Sequence, residues 1–312
     1  MTDDTLPAPA RKRLVAALIT LLACGSLLGL TTTMAKVAGD AGIAALAFLA
    51  WSILGACVLL WCVAAMRRDT PSFTARTVEY FAVSAFVGVA ASNLIFFLAI
   101  PKLGAGFVSL MLSLPPLLTY VGAIMLRLDR LDAWRLLGVL AALLGAGALA
   151  LGKIQSGTTP IGWVAFVLLG PVLLAIGNIY RSVRWPKDES AQDLAPGMLT
   201  AAALMLFAAA FLPGMEIGFN FGDGRAWGLV AVQSLLFAGQ FVLLFMLQKS
   251  GGPVMLSLLG SVGAVVAVPV AVFLLGEGMP ENLWLGVVLI GLGVLLVSRQ
   301  GGETKETVGK TA

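Results

Sequence analysis

An all-α integral membrane protein, with ten transmembrane helices in two inverted five-helix repeats and both termini cytoplasmic, is the fold class this sequence predicts. Three observations predict it. Only 12% of the 312 residues are charged and 59% are hydrophobic, with a mean hydropathy of +0.98; a soluble domain carries about 25% charged residues. Apolar stretches near the roughly 20 residues needed to cross a bilayer as helix recur along the chain. Threading ten spans from a cytoplasmic N-terminus puts 16 of the 20 basic residues inside, among them Arg11, Lys12, Arg13, Arg181 and Lys249, and leaves Lys36, Lys102, Lys153 and Arg225 outside. That asymmetry is the positive-inside pattern. The same placement, along span ends, makes the net charge of +4 a membrane signature and points away from nucleic acid.

The first span, 14–35, follows a polar tail over 1–13. Its start, "RKRLVAALITLLACGS", resembles a signal peptide, and Leu21-Leu22-Ala23-Cys24 loosely resembles a lipoprotein cleavage site. The apolar run continues beyond Cys24 and nine spans follow, so a first transmembrane helix is predicted. Spans two and three cover 43–66 and 78–100. Cys24, Cys57 and Cys62 lie within spans without metal-ligand spacing, and they read as small apolar packing residues. No metal or cofactor is predicted.

The fourth span, 104–126, contains Pro115 and Pro116 side by side in an otherwise apolar run. A proline in a helix interior costs about 3 kcal/mol. The pair also leaves the carbonyls of Met111 and Leu112 without their helical donors. Irregular backbone at membrane depth belongs where it is buried in protein or lines a cavity. One reading is a hinge whose carbonyls, with Ser109 and Ser113, face a substrate path. The other is a static kink satisfied by neighbouring helices. Tyr120 follows in the same span as a candidate cavity residue.

Spans five to ten are 134–152, 160–180, 195–213, 226–247, 253–275 and 283–298, before a polar tail over 299–312. Met1–Ala10 and Gly301–Ala312 are expected to be disordered. Gly145, Gly147, Gly286, Gly291 and Gly293 give spans five and ten small faces for close helix approach or a dimer contact.

The two halves, 14–153 and 154–298, align on each other. "AIPKLGAGFVSLMLS" (99–113) matches "MLQKSGGPVMLSLLG" (246–260), pairing Lys102 with Lys249 and Gly104 with Gly251. Farther on, Gly138 pairs with Gly286 and Gly145 with Gly293; more weakly, Thr33 pairs with Asn178 and Lys36 with Arg181. Five spans per half is an odd number, so the second half enters the membrane upside down. Inverted repeats build transporters with a site near the bilayer midplane. At the same offset Val262 and Gly263 replace the prolines, with Pro269 beyond, so Gly263 and Pro269 are the second candidate hinge.

Within this frame Asn93 in span three pairs with Gln240 in span eight. Two uncharged amides can donate to and accept from a zwitterion. Thr31, Thr32 and Thr33 in span one and Asn178 in span six form a looser pair of clusters. The competing reading is that such residues glue helices together, at about 0.6 kcal/mol each. Trp163, near the outer end of span six, is either a cavity wall or an interfacial anchor.

"SLLGSVGAVVAVPVAVFLLGEGMPENLWLGVVLIGLGVLLV" (257–297) and "LIFFLAIPKLGAGFVSLMLSLPPLLTYVGAIML" (94–126) resemble the second and first repeats of the EamA family, in the drug/metabolite transporter superfamily. The sequence departs from the family pattern at Leu128-Asp129, where the second repeat has Gly276-Glu277. It departs again at Leu28-Gly29, where Trp-Gly is usual, and near Trp51-Ser52, where an arginine is often found. Overall similarity is greatest to the bacterial YddG-type amino-acid exporters. The resemblance implies alternating-access export of small organic solutes, amino acids first, through a bacterial inner membrane, by a monomer or homodimer.

No Asp or Glu lies deep in a span, and the chain has no histidine. Proton coupling needs an intramembrane titratable group, so facilitative uniport is expected, with a proton-coupled exporter of other metabolites or drugs as the alternative. The same lack of a nucleophile–base set argues against an enzyme. The spans show no charged ring or filter-like stretch, which argues against a channel.

Overall fold

The structure, a computed structural model, describes residues 8–67, 73–128, 131–155, 160–186, 189, 191–278 and 282–298. The predicted disorder of Met1–Ala10 is corrected at Ala8–Ala10, which are helical; the rest of it, and that of Gly301–Ala312, falls outside these residues. Among the described residues there are ten helical rods and no strand: α1 (Ala8–Asp40), α2 (Ala45–Arg67), α3 (Ala75–Leu103), α4 (Ala105–Met125), α5 (Ala133–Gln155), α6 (Ile161–Arg184), α7 (Ala191–Ala209), α8 (Gly224–Ser257), α9 (Leu259–Leu274) and α10 (Leu283–Ser298). Seven contain a stretch long and apolar enough to cross a membrane; the apolar stretches of α7, α9 and α10 are shorter, at Asp193–Ala209, Leu259–Leu274 and Leu283–Leu296.

Local chemistry fixes where these rods begin and break. Thr74 caps α3: its hydroxyl accepts from the Thr77 amide at 3.2 Å, and the Thr77 hydroxyl accepts from the Thr74 amide at 2.9 Å. This reciprocal pair satisfies two orphan donors of a helix start. One wide turn interrupts α3, a π-helical segment at Phe86–Ala90, and a second closes α9 at Val270–Leu274, directly after Pro269. Gly104, at φ +87°, separates α3 from α4 in a conformation that side-chain-bearing residues rarely adopt.

The paired prolines do not sit in a helix interior. The rod α4 is two helices, Ala105–Met111 and Pro115–Met125, joined by a tight turn, and the prolines occupy the first two positions of the second piece. There the missing N–H groups cost little, because a helix start has orphan donors anyway. The expectation of two freed carbonyls is corrected for one of them: the Met111 carbonyl accepts from the Leu114 amide at 3.1 Å. The Leu112 carbonyl instead abuts Gly260, where a Cβ would come within 1.6 Å of its oxygen.

The boundary expected between spans eight and nine also moves. Helix α8 runs through Gly251, Gly252 and Pro253 to Ser257, and the break falls at Leu258. A proline is tolerated within a membrane helix when neighbours re-satisfy the backbone.

The principal contacts run between the halves. Helix α1 packs on α8 and α9, α2 on α7 and α8, α3 on α6 and α7, α4 on α6 and α9, and α5 on α10. Lipid tails are as apolar as leucine, so close packing of small residues holds such rods together. A Cβ on Gly29 would lie 2.6 Å from the Gly263 carbonyl oxygen, one on Gly145 2.9 Å from that of Gly286, and one on Gly293 2.4 Å from that of Gly138. Gly147 and Gly291, predicted with them as packing residues, meet nothing within 4 Å.

Between α7 and α8 the chain folds back over α2. The Trp51 indole donates to the Ile217 carbonyl at 3.0 Å, and the rings of Phe207, Phe219, Phe221 and Trp227 surround it edge-on. This aromatic cluster anchors the 210–223 connection to the bundle.

Candidate functional site: a central cavity with a buried arginine

Residues of α1, α3, α4, α6, α8 and α9 line a partly open cavity of about 70 Å³. Its polar lining is Asn93, Asn178, Arg181 and Gln240, and Pro115 reaches it from the α4 break. Leu28, Phe96, Leu174, Phe241 and Leu244 supply apolar wall. Both halves contribute polar groups to one space.

Helix geometry explains how α6 contributes. Leu174, Asn178 and Arg181 follow the i, i+4, i+7 spacing that puts residues on one helical face, and all three line the cavity. The Arg181 Nη2 donates to Asn178 Oδ1 at 2.8 Å. The guanidinium also lies against Gly88 in the wide turn of α3, where a Cβ would stand 2.3 Å from Nη1. A π turn inside an α-helix is frequent at functional sites, and here it presents a glycine where a charged head needs room.

Arg181, grouped from the sequence with the basic residues of the inner side, does not reach solvent. It is only 2% exposed, whereas Lys36, its expected repeat mate, is partly exposed and pairs with Asp40 on its own helix. Arg181 was not among the cavity residues expected from the sequence, and it lines the cavity. The spacing puts it on the face of Asn178, but the sequence does not say which way that face turns. Gly88, Phe96 and Phe241 were likewise not singled out, and only their neighbours in space give them a role.

The other predicted residues divide. Asn93, half-buried, donates from Nδ2 to the Val89 carbonyl at 2.8 Å. Gln240, buried, accepts at Oε1 from the Thr31 hydroxyl at 3.3 Å. Thr33 is buried and turns its hydroxyl onto the Leu30 carbonyl at 2.9 Å. Tyr120 accepts from the Asp132 amide at 2.8 Å, and Arg135 lies 5.3 Å over its ring, so it ties α4 to the start of α5. Trp163 packs edge-on against Phe166 at the start of α6. Thr33, Tyr120, Trp163 and the buried Ser113 do not line this cavity. Gly263 is packed against Leu28 and the Gly25 carbonyl of α1, and Pro269 immediately precedes the wide turn of α9.

With this geometry in view, comparison with known proteins bears on the first half of the chain and on the fold. The sequence model of the EamA-like transporter family matches residues 15–151. That match supports a multi-pass membrane transporter of small solutes, and members of the family are transporters rather than enzymes. Twenty chains of solved structures match the fold. One of them, titled only "Crystal structure of protein", superposes with a TM-score of 0.61 over 91% of this chain and 95% of its own, at 15% identity. At that identity the likeness is one of fold. No curated protein matches the chain.

Proposed function

We propose that the chain is a secondary carrier of the drug/metabolite transporter superfamily that moves amino acids through the central cavity by alternating access, as a facilitative uniporter in a bacterial inner membrane. The observation that carries the reading is the cavity itself. Asn93 and Pro115 reach it from the first half, Asn178, Arg181 and Gln240 from the second. A midplane site between two halves is how such transporters bind substrate.

The helix contacts support the inverted repeat. Exchanging each helix with the one five places away turns the α1–α8 contact into α6–α3, α1–α9 into α6–α4 and α2–α8 into α7–α3, all of which occur. The α2–α7, α4–α9 and α5–α10 contacts map onto themselves. The breaks of α4 at 112–114 and before α9 at Leu258 fall close to equivalent places, with the candidate hinge residues Pro115 and Pro116 just after the first and Gly263 and Pro269 beyond the second. With both termini cytoplasmic, the charge pattern of the sequence is satisfied.

Counterflow in proteoliposomes against a panel of amino acids tests this reading. Saturable uptake that is accelerated by unlabelled substrate inside is the expected result; linear flux without saturation would identify a channel. Uptake driven by an imposed pH gradient at clamped membrane potential would replace uniport with proton coupling. Asn93→Ala and Gln240→Ala are each expected to raise the half-saturating concentration, and wild-type values in both would remove the paired amides from the site.

A further inference from the structure

We propose that Arg181 is the anion anchor of the cavity, and that the solute it takes must carry a carboxylate on a small apolar body. The proposal rests on the carrier reading and deepens it by assigning recognition of the solute carboxylate to one residue of the cavity.

The guanidinium is permanently charged and has five N–H donors. Its Nη2 is used by Asn178, while Nε is buried with no partner. Among the described residues no carboxylate pairs with it. Burying a charge without a counter-charge is costly. A structure that nevertheless places one here, with a glycine facing it so that the head fits, leaves its counter-charge to be supplied from the cavity. Arginine is the side chain best matched to a planar carboxylate, through two parallel charge-assisted hydrogen bonds.

Two features choose the carboxylate over a phosphate. Among the described residues Arg181 is the only cationic side chain lining the cavity, and a phosphate of nearly two charges would be left half-neutralised. The remaining wall, with Leu28, Phe96, Leu174 and Phe241, is apolar and suits a hydrocarbon side chain. Asn178, held by Arg181, keeps the guanidinium oriented, so it is a positioning residue.

The test compares four molecules of one shape: leucine, 4-methyl-2-oxopentanoate, leucinamide and 3-methylbutylamine. The first two carry the carboxylate and the last two lack it. With purified protein, leucine and the oxo acid are expected to raise the melting temperature and to compete in counterflow, and the amide and amine to do neither. Arg181→Gln is expected to weaken leucine binding by at least about tenfold, as loss of a hydrogen bond to a charged group does, with Arg181→Lys restoring part of it. If the amide or amine binds as tightly as leucine, or if folded Arg181→Gln binds leucine like wild type, the anchor is refuted. Failure of both carboxylates to bind at millimolar concentration refutes it as well. Should Arg181→Gln not fold, the four-ligand comparison on wild type decides alone. Discrimination by carboxylate without any counterflow would keep the anchor and remove the carrier. Counterflow of acid and amine alike would do the reverse.

Discussion

The Glu277 carboxylate, from the connection after α9, accepts hydrogen bonds from the backbone amides of Ala105 at 2.6 Å and Gly106 at 3.0 Å. It thereby closes the buried N-terminus of α4 with a side chain from the other half of the chain. A carboxylate at a helix start satisfies orphan donors and complements the helix dipole. Gly104 makes the approach possible, since a Cβ there would stand 2.8 Å from Glu277 Oε2.

Glu277→Gln keeps the shape of this cap and removes its charge. Charge-assisted hydrogen bonds are worth more than neutral ones, so a stability loss of about 1 kcal/mol is expected. Thermal melting of the purified variant measures it, with Glu277→Ala expected to melt lower still. An unchanged melting temperature in both would show that the cap is not stabilising.

Gly260→Ala would drive a methyl group to 1.6 Å from the Leu112 carbonyl oxygen, a contact with backbone on both sides and no flexible side chain to yield. Overpacking typically costs about 1–3 kcal/mol, and a clash this deep is expected to exceed that range or separate α4 from α9. Gly147→Ala, facing open space, is the control, and it is expected to melt at or slightly above the wild-type temperature because alanine favours helix. Equal melting of the two variants would contradict the packing of α4 on α9.

Gly88→Ala addresses the arginine from the opposite wall. The added Cβ would stand 2.3 Å from Arg181 Nη1, at the far end of a flexible side chain, so the guanidinium shifts and the fold survives. The expected outcome is a several-fold rise in the half-saturating leucine concentration in counterflow, with gel filtration unchanged. A wild-type value would mean that the position of the guanidinium does not matter to binding.

Pro115→Ala/Pro116→Ala restores two backbone donors at the break of α4. Because the prolines stand at a helix start, little stability is at stake, and a change below about 1 kcal/mol is expected. If the break moves during transport, the substituted helix can close into one rod, and the counterflow rate falls. An unchanged rate would make the break a static kink.

Much of the helical architecture was legible because hydropathy and length act locally. Each rod has an apolar run in the sequence, and the proline pair marked a real interruption in α4. The exact form of that interruption was not legible. Treating Pro115 and Pro116 as interior residues overlooked that a helix can end at Met111 and restart on them, with Leu114 donating to the Met111 carbonyl. The end of α8 was misplaced for a related reason: Gly251-Gly252-Pro253 reads as a corner, and the helix nevertheless continues through it.

The candidate site was legible in half. Asn93, Asn178 and Gln240 stand out as polar residues in apolar runs, and they do line one cavity. Thr33 stands out equally but turns its hydroxyl onto the carbonyl of its own helix, a choice that composition does not reveal.

By itself the sequence determined the helices, since their apolar lengths and flanking charges depend only on residues near in the chain. Tertiary structure alone decided the fate of Arg181. Three residues before Arg184 at the end of an apolar helix, it reads as one more charge at a membrane edge. Whether such a side chain reaches water or turns inward depends on what stands across from it. Here a wide turn in α3 sets Gly88 opposite, Asn178 supplies an acceptor, and the charge is held inside the cavity.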